Sequence, residues 1–160
     1  MKFTAPLCAF FLALLFHVGT GEASECRVRE IIFQESDFRF GDYKAHLAES
    51  EDKKPPERWL GPASISSGHS RCQVDENVSI ISRPIFTDSE GGLWLSTFSG
   101  SIYRLVAINP ATCAVTWDSG WVGWPAKVKS GRVQLDDKPL PLKENCLPFK
   151  PSRPDKPGGG

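Results

Sequence analysis

Short apolar runs separated by small and polar residues dominate the chain after residue 24, and this pattern predicts β-strands. The clearest unit begins at Ile85, where the Asp-Ser-Glu-Gly-Gly turn of residues 88–92 separates two apolar runs. Ser-Gly-Ser at 99–101 and Pro-Ala-Thr-Cys at 110–113 separate two further runs. Strand-like runs at regular spacing with Gly, Pro and Asp turns are typical of an antiparallel meander. We therefore expect a single all-β, antiparallel domain of short strands and hairpins, without a helix of useful length.

The segments around this unit carry weaker signals. VREIIFQESDFRF at 28–40, a β-branched run at 77–82 that ends at Pro84, and RVQLDD at 132–137 predict additional strands. Residues 49–62 are charged and proline-rich, which predicts an exposed loop. The Gly-Leu-Trp stretch is like one blade of a β-propeller, but a propeller needs several such units and the sequence has only this one. We expect a blade-like meander and not a whole propeller.

The two ends of the chain are expected to lie outside the fold. An apolar run at 9–18 and small residues up to Ala23 have the pattern of a signal peptide over residues 1–23, too short to span a bilayer as a mature helix. A lipoprotein signal is the alternative because Cys26 follows closely, but a glutamate precedes it where such a signal requires a small residue. We predict an exported, soluble domain at 24–147 and a disordered Pro/Gly-rich tail at 148–160.

Export changes the interpretation of the cysteines. Beyond the signal peptide there are four, Cys26, Cys72, Cys113 and Cys146. An even number in an oxidising compartment favours two disulfides. No Cys-x-x-Cys pair occurs and only His46 and His69 accompany the cysteines, so we predict no metal and no other cofactor. Of the three connectivities, we prefer Cys26–Cys72 with Cys113–Cys146, because each bridge then joins neighbouring segments; the other two pairings stay open.

Charge argues against two classes of partner. The chain has 19 basic and 19 acidic residues, and removal of Lys2 and Glu22 with the signal peptide leaves the balance unchanged. A net charge near zero provides no basic footprint for nucleic acid or for an anionic membrane. A partner would therefore be recognised by local surface chemistry and not by bulk charge.

A catalytic function for the serines is the first alternative. Ser99 or Ser101 could act as a nucleophile with His46 or His69 as its base, oriented by Asp118 or Asp88. The serines do not stand in a strand-turn-helix Gly-x-Ser-x-Gly elbow, however. We expect that the protein is not an enzyme.

The tryptophans suggest a second alternative. Trp94 and Trp117 stand in strand patterns and are expected in the core, where aromatic side chains bury a large area. Trp121 and Trp124 belong to the glycine-rich stretch GWVGWP. For these two, packing and the binding of a partner or a sugar are equally open.

The small tip between two strands carries the most specific motif. Phe-Ser-Gly-Ser at 98–101, then Leu-Val, then Ala-Thr-Cys-x-Val at 111–115 resembles the periplasmic immunity proteins of the first family of type VI secreted cell-wall amidases. The similarity covers about residues 91–146, and more loosely the placement of the two upstream cysteines. Proteins of that family are small, exported and all-β, with paired cysteines. The resemblance implies a periplasmic location and a role in competition between bacteria.

In that family the effector is a papain-like cysteine amidase that cleaves the peptide stems of peptidoglycan. The immunity protein inserts a serine-bearing loop into the catalytic groove and blocks the Cys–His pair. By resemblance Ser99, Gly100 and Ser101 would form the plug, with Phe98 and Ile102 as its anchors. A serine hydroxyl both donates and accepts hydrogen bonds, and apolar strands with a nearby disulfide would hold the loop rigid. The residues assigned to effector binding are Phe98, Ser99, Gly100, Ser101, Ile102 and Tyr103.

Two other interpretations of the tip remain. The stretch Ser-Gly-Ser-Ile-Tyr at 99–103 is also similar to the Ser-Gly-x-x-Tyr loop of bacterial periplasmic lysozyme inhibitors, although the lysine-bearing motif expected downstream is not clear. Both resemblances imply inhibition of a cell-wall hydrolase and differ in the target. As a plain hairpin turn, the same stretch needs no function.

Overall fold

The computed structural model describes residues 25–48 and 50–149, and every regular element in them is a β-strand. This confirms the predicted all-β fold. The predicted signal peptide and residues 150–160 of the predicted tail lie outside the described residues. Pro148, at the start of that tail, forms an antiparallel bridge with Leu142. In residues 25–48 and 50–149, no helix has the length and apolar character required to cross a bilayer.

Thirteen strands make up the described part of the chain. Their bounds are β1 Val28–Glu30, β2 Asp37–Phe40, β3 Tyr43–Leu47, β4 Arg58–Trp59, β5 Ala63–Ser67, β6 Ser70–Gln73, β7 Ile81–Asp88, β8 Leu93–Ser99, β9 Ile102–Ile108, β10 Val115–Asp118, β11 Lys127–Lys129, β12 Arg132–Leu135 and β13 Lys138–Pro139.

The strands form three antiparallel sheets. The largest has the order β1-β7-β8-β9-β10, and β4 also pairs with β7. The predicted meander is therefore its centre, with β7, β8, β9 and β10 adjacent in chain order. A four-stranded sheet, β2-β3-β5-β6, and a three-stranded sheet, β11-β12-β13, complete the fold.

The large sheet lies between the other two and is buried on both faces. Leu93 and Leu95 of β8 belong to a core with residues of the four-stranded sheet such as Ile65. Trp94, between them in sequence, points to the other face and shares a second core with Val133 of β12. Successive side chains of a strand alternate between faces, so the unbroken apolar run Leu93–Leu95 reflects a strand whose two faces are both covered. Trp94 and Trp117 are both buried, as predicted.

Two strand predictions need correction. The β-branched run at 77–82 is not a strand that ends at Pro84, because β7 begins at Ile81 and continues through the proline to Asp88. Pairing with β8 shifts register between Ser82 and Phe86, and a bulge of this kind accommodates a proline that cannot donate to the ladder. The predicted exposed loop at 49–62 contains β4, whose Trp59 is fully buried and donates through Nε1 to Ser36.

The predicted cysteine pairing is wrong. The bonds join Cys26 to Cys146 and Cys72 to Cys113. Cys72, on β6, lies against the β9–β10 turn that carries Cys113, so this bond fastens the four-stranded sheet to the large one. The other bond fastens the C-terminal segment to the start of β1. Both bonds therefore join segments that are distant in sequence, 41 and 120 residues apart, and not the neighbouring segments that we expected.

Candidate functional site

The Ser-Gly-Ser tip is a tight two-residue turn between β8 and β9. Ser99 pairs with Ile102, so Gly100 and Ser101 are the central residues. Gly100 has φ +61°, whereas Ser101 does not have a positive φ. A glycine with positive φ at the first central position alone is the pattern of a type II′ turn, whose twist suits a β-hairpin. Ser99, Gly100 and Ser101 are all exposed.

The strands behind the tip give it a rigid base. Every residue of β8 from Leu93 to Thr97 is buried, and so is β9 from Leu105 to Ile108. The hydroxyl of Ser96 donates to the carbonyl oxygen of Pro84 at 2.6 Å, which ties β8 to the bulge of β7. This supports the expectation that apolar strands hold the loop. The nearby disulfide that we expected is at the other end of the hairpin, because Cys113 follows the C-terminal end of β9.

The expected anchors lie on opposite faces of the hairpin. Phe98 pairs with Tyr103, their ring centroids are 6.4 Å apart, and both are half-buried. The guanidinium of Arg58 lies over the Phe98 ring, 4.9 Å from its centroid. Ile102 points to the other face and its side chain is 40% exposed. Phe98 is therefore packed, whereas Ile102 is part of the exposed surface and not a buried anchor.

A groove of about 500 Å³ lies beside the tip on the Phe98–Tyr103 face. Arg58, Ser82 and Glu57 contribute to its wall. The hydroxyl of Ser82 is buried and has no hydrogen-bond partner within residues 25–48 and 50–149. A hydrogen bond from Lys53, together with its positive charge, lowers the pKa of the Glu57 carboxyl, so this carboxylate is ionised and paired at the edge of the groove.

The stretch after β10 runs beside the tip, and sequence reasoning missed this element. The backbones of Val122 and Tyr103 exchange two hydrogen bonds, of 2.9 and 2.7 Å. Ser119 donates through its backbone to the carbonyl of Leu105 at 2.9 Å. Pairing therefore continues beyond Asp118 through an irregular stretch at Gly120, which has φ +64°. The signal in the sequence was only Gly-Trp-Val-Gly-Trp, in which the glycines obscure the strand pattern.

An ion pair holds this stretch to β9. The Arg104 guanidinium makes a bidentate contact with the Asp118 carboxylate, and the two side chains are only 12% and 13% exposed. Asp118 also accepts a hydrogen bond from the backbone of Gly120 at 2.8 Å. The Arg104 guanidinium lies 5.8 Å from the ring centroid of Trp121. Trp121 and Trp124 are 44% and 64% exposed, respectively.

The residues considered for a hydrolase are dispersed. His46 is on β3 and His69 is in the β5–β6 turn, both on the outer side of the four-stranded sheet, where His46 contacts Asp37. Asp88 accepts hydrogen bonds from Trp94 Nε1 and from the backbone of its own turn. Asp118 pairs with Arg104. Among the hydrogen bonds of the described residues, none joins a histidine to Ser99 or Ser101.

Comparison with known proteins adds no family to these observations. No protein-family model matches the chain, and no curated protein matches its sequence. The site is therefore defined by its own geometry: an exposed, glycine-centred tip on a rigid hairpin, a groove on one face, and two exposed tryptophans on the irregular stretch at 119–124.

Proposed function

We propose that the protein is a periplasmic immunity protein that binds a type VI secreted cysteine amidase of peptidoglycan and inserts the tip at 99–101 into its active site. The observation that carries the proposal is the tip itself. It is narrow, exposed and uncharged, and it extends from strands that are buried on both faces. A loop ordered before binding loses little conformational entropy in the complex, which favours affinity.

The chemistry of the tip suits a cysteine hydrolase. Gly100 has no side chain and nothing within 4 Å of the position a Cβ would occupy, so the tip is as thin as a backbone turn can be. On each side of it, a serine hydroxyl can donate to one group of a Cys–His pair and accept from the other. Two disulfides are compatible with an oxidising compartment, in keeping with the proposed periplasmic location.

The experiment uses the amidase encoded by the reading frame next to that of this protein, since immunity proteins are normally encoded beside their toxins. The full-length protein is exported and purified, and release of peptide fragments from murein is measured with the amidase at increasing concentrations of inhibitor. We expect stoichiometric inhibition. An amidase that cleaves murein at an unchanged rate, in the presence of excess folded protein, would overturn the proposal.

Inhibition of lysozyme is the second candidate, because the exposed tip also begins a Ser-Gly-x-x-Tyr stretch. Tyr103 is half-buried in the groove and its backbone is paired with Val122. Because Tyr103 directly follows Ile102 on β9, its side chain lies on the opposite face of the hairpin from that of Ile102. The same murein assay with a lysozyme in place of the amidase distinguishes the two targets, and we expect no inhibition of lysozyme.

A further inference from the structure

The tip is too small to form a stable complex by itself. A specific protein–protein interface buries about 800 Å² on each partner and involves roughly 20–30 residues a side. The turn at 99–102 supplies only a fraction of that surface. If it enters a cleft, the rim of that cleft must contact whatever lies beside the tip.

The stretch at 119–124 places large apolar side chains next to the tip. Val122 pairs with Tyr103, so both are directed to the groove face. Trp121 contacts Arg104, which alternation places on the same face of β9 as Ile102. Trp121 and Ile102 therefore lie on the same face of the sheet, away from the groove, and both are exposed.

Trp124 lies further along the same stretch, next to the residue that reaches the groove. It is 64% exposed, and its backbone donates to Asp136 at 3.3 Å, which holds the turn in place. The next residue, Pro125, lines the groove together with Phe98 and Tyr103. We call Trp121 and Trp124 the aromatic shoulder. These two residues flank Val122 and Gly123, and Val122 pairs with Tyr103 just after the tip.

The side chains of the shoulder are apolar, and the charges beside them are few. Arg104, beside Trp121, is paired with Asp118 and largely buried, and the exposed Asp136 carboxylate accepts the backbone hydrogen bond of Trp124. Tryptophan is among the residues most enriched in the energetically important centres of interfaces. Exposed tryptophans adjoining a narrow tip suit an uncharged, apolar protein surface better than a charged one.

We propose that the aromatic shoulder is a second contact region for the same protein partner, packing on an apolar rim of the cleft that receives the tip. This inference rests on the proposed function. It assigns Trp121 and Trp124 to binding of the hydrolase, where the sequence left core packing, a partner and a sugar open.

The test compares Trp121→Ala and Trp124→Ala with two controls on the same protein. Phe149→Ala removes an aromatic side chain that is 61% exposed on the C-terminal segment, and Leu60→Ala removes an apolar one exposed to the same extent near β4. Binding of the purified amidase is measured at low and high salt, and thermal midpoints are recorded for every variant. We expect each tryptophan variant to weaken binding roughly 30-fold, mainly through faster dissociation. Both controls should bind like the wild type, and salt should change the affinity little.

The outcomes separate this inference from the proposed function. If the tryptophan variants are folded and bind the amidase as tightly as the wild type does, the shoulder is not a contact region, whereas wild-type inhibition still supports the immunity function. If they bind the amidase normally but lose retention on a column of purified peptidoglycan, the shoulder is a sugar-binding surface and the inference is wrong. If the wild-type protein does not bind the amidase, both fail. Should an alanine variant misfold, Trp124→Lys keeps a long side chain and introduces the charge that the proposed rim would reject.

Discussion

Two neighbouring buried serines differ in whether the hydroxyl is hydrogen-bonded, and we expect this difference to affect stability. Ser82 and Ser96 are cross-strand partners on β7 and β8, and both are buried. The hydroxyl of Ser96 donates to the carbonyl of Pro84, whereas that of Ser82 has no partner within the described residues. A buried polar group without a hydrogen bond is unfavourable, and one with a hydrogen bond is favourable by about 1 kcal/mol.

We therefore predict opposite results for two identical substitutions. Ser82→Ala should leave the free energy of unfolding unchanged or raise it, because it removes an unsatisfied hydroxyl. Ser96→Ala should lower it by about 1–2 kcal/mol, because the Pro84 carbonyl is left unpaired. Chemical denaturation of both variants measures this difference. A larger loss for Ser82→Ala than for Ser96→Ala would show that the Ser82 hydroxyl is bonded in solution.

Single residues were predictable where the pattern around them was regular. Trp94 and Trp117 could be assigned to the core because each stands in an apolar, strand-like run. Trp59 could not, because lysines and prolines surround it in sequence and its burial depends on pairing with Ile81. The exposure of Ile102 was not evident either, since the hairpin register decides which face a residue occupies.

At the scale of elements, three hairpins share one turn geometry. Gly41, Gly68 and Gly100 each have positive φ as the first of two residues between paired strands. The turn type alone therefore does not distinguish the tip at 99–101. The tip at 99–101 differs from the other two because the sheet that carries it is packed on both faces, and because Trp121 and Trp124 lie on the neighbouring stretch. The strands of this hairpin were predictable from their apolar runs, whereas its tryptophan neighbour was not.

The ion pair between Arg104 and Asp118 should be essential to the position of that neighbour. Removal of one partner of a largely buried pair leaves an uncompensated charge and typically costs about 3–5 kcal/mol. We predict a loss of at least about 3 kcal/mol in the free energy of unfolding for Asp118→Ala. Lys127→Ala, which breaks the exposed pair with Asp137, is the matched control and should change it by no more than about 1 kcal/mol. Similar effects in both variants would contradict the importance of burial here.

At the scale of the molecule, the fold is three layers held together by two disulfides. The class of fold followed from the sequence because strand patterns and turns are local. The arrangement of the three layers could not be predicted from the sequence, because it depends on which distant segments pack on the central sheet. The same limit explains the wrong cysteine pairing: proximity in sequence does not indicate proximity across layers.

The two disulfides should contribute unequally to stability. In the chain-entropy description, the stabilisation grows with the separation of the bonded residues, which is 41 for Cys72–Cys113 and 120 for Cys26–Cys146. This corresponds to about 4 and about 5 kcal/mol, respectively. We predict that replacing both cysteines of a pair by alanine lowers the free energy of unfolding in each case. The loss should be larger for Cys26–Cys146 than for Cys72–Cys113. Peptide mapping without reductant checks the pairing itself, and a peptide linking Cys26 to Cys72 would contradict the fold.

Inhibition of the amidase should depend most directly on the tip. The Ser99→Arg, Ser101→Arg double variant places bulk on both sides of Gly100, and the matched control is Ser67→Arg, His69→Arg in the equivalent β5–β6 turn. Inhibition of the amidase and thermal midpoints are measured for both. We predict that the tip variant loses at least about 2 kcal/mol of binding free energy with little change in midpoint, whereas the control inhibits normally. A folded tip variant that inhibits the amidase as well as the wild type does would show that residues 99–101 are only a turn.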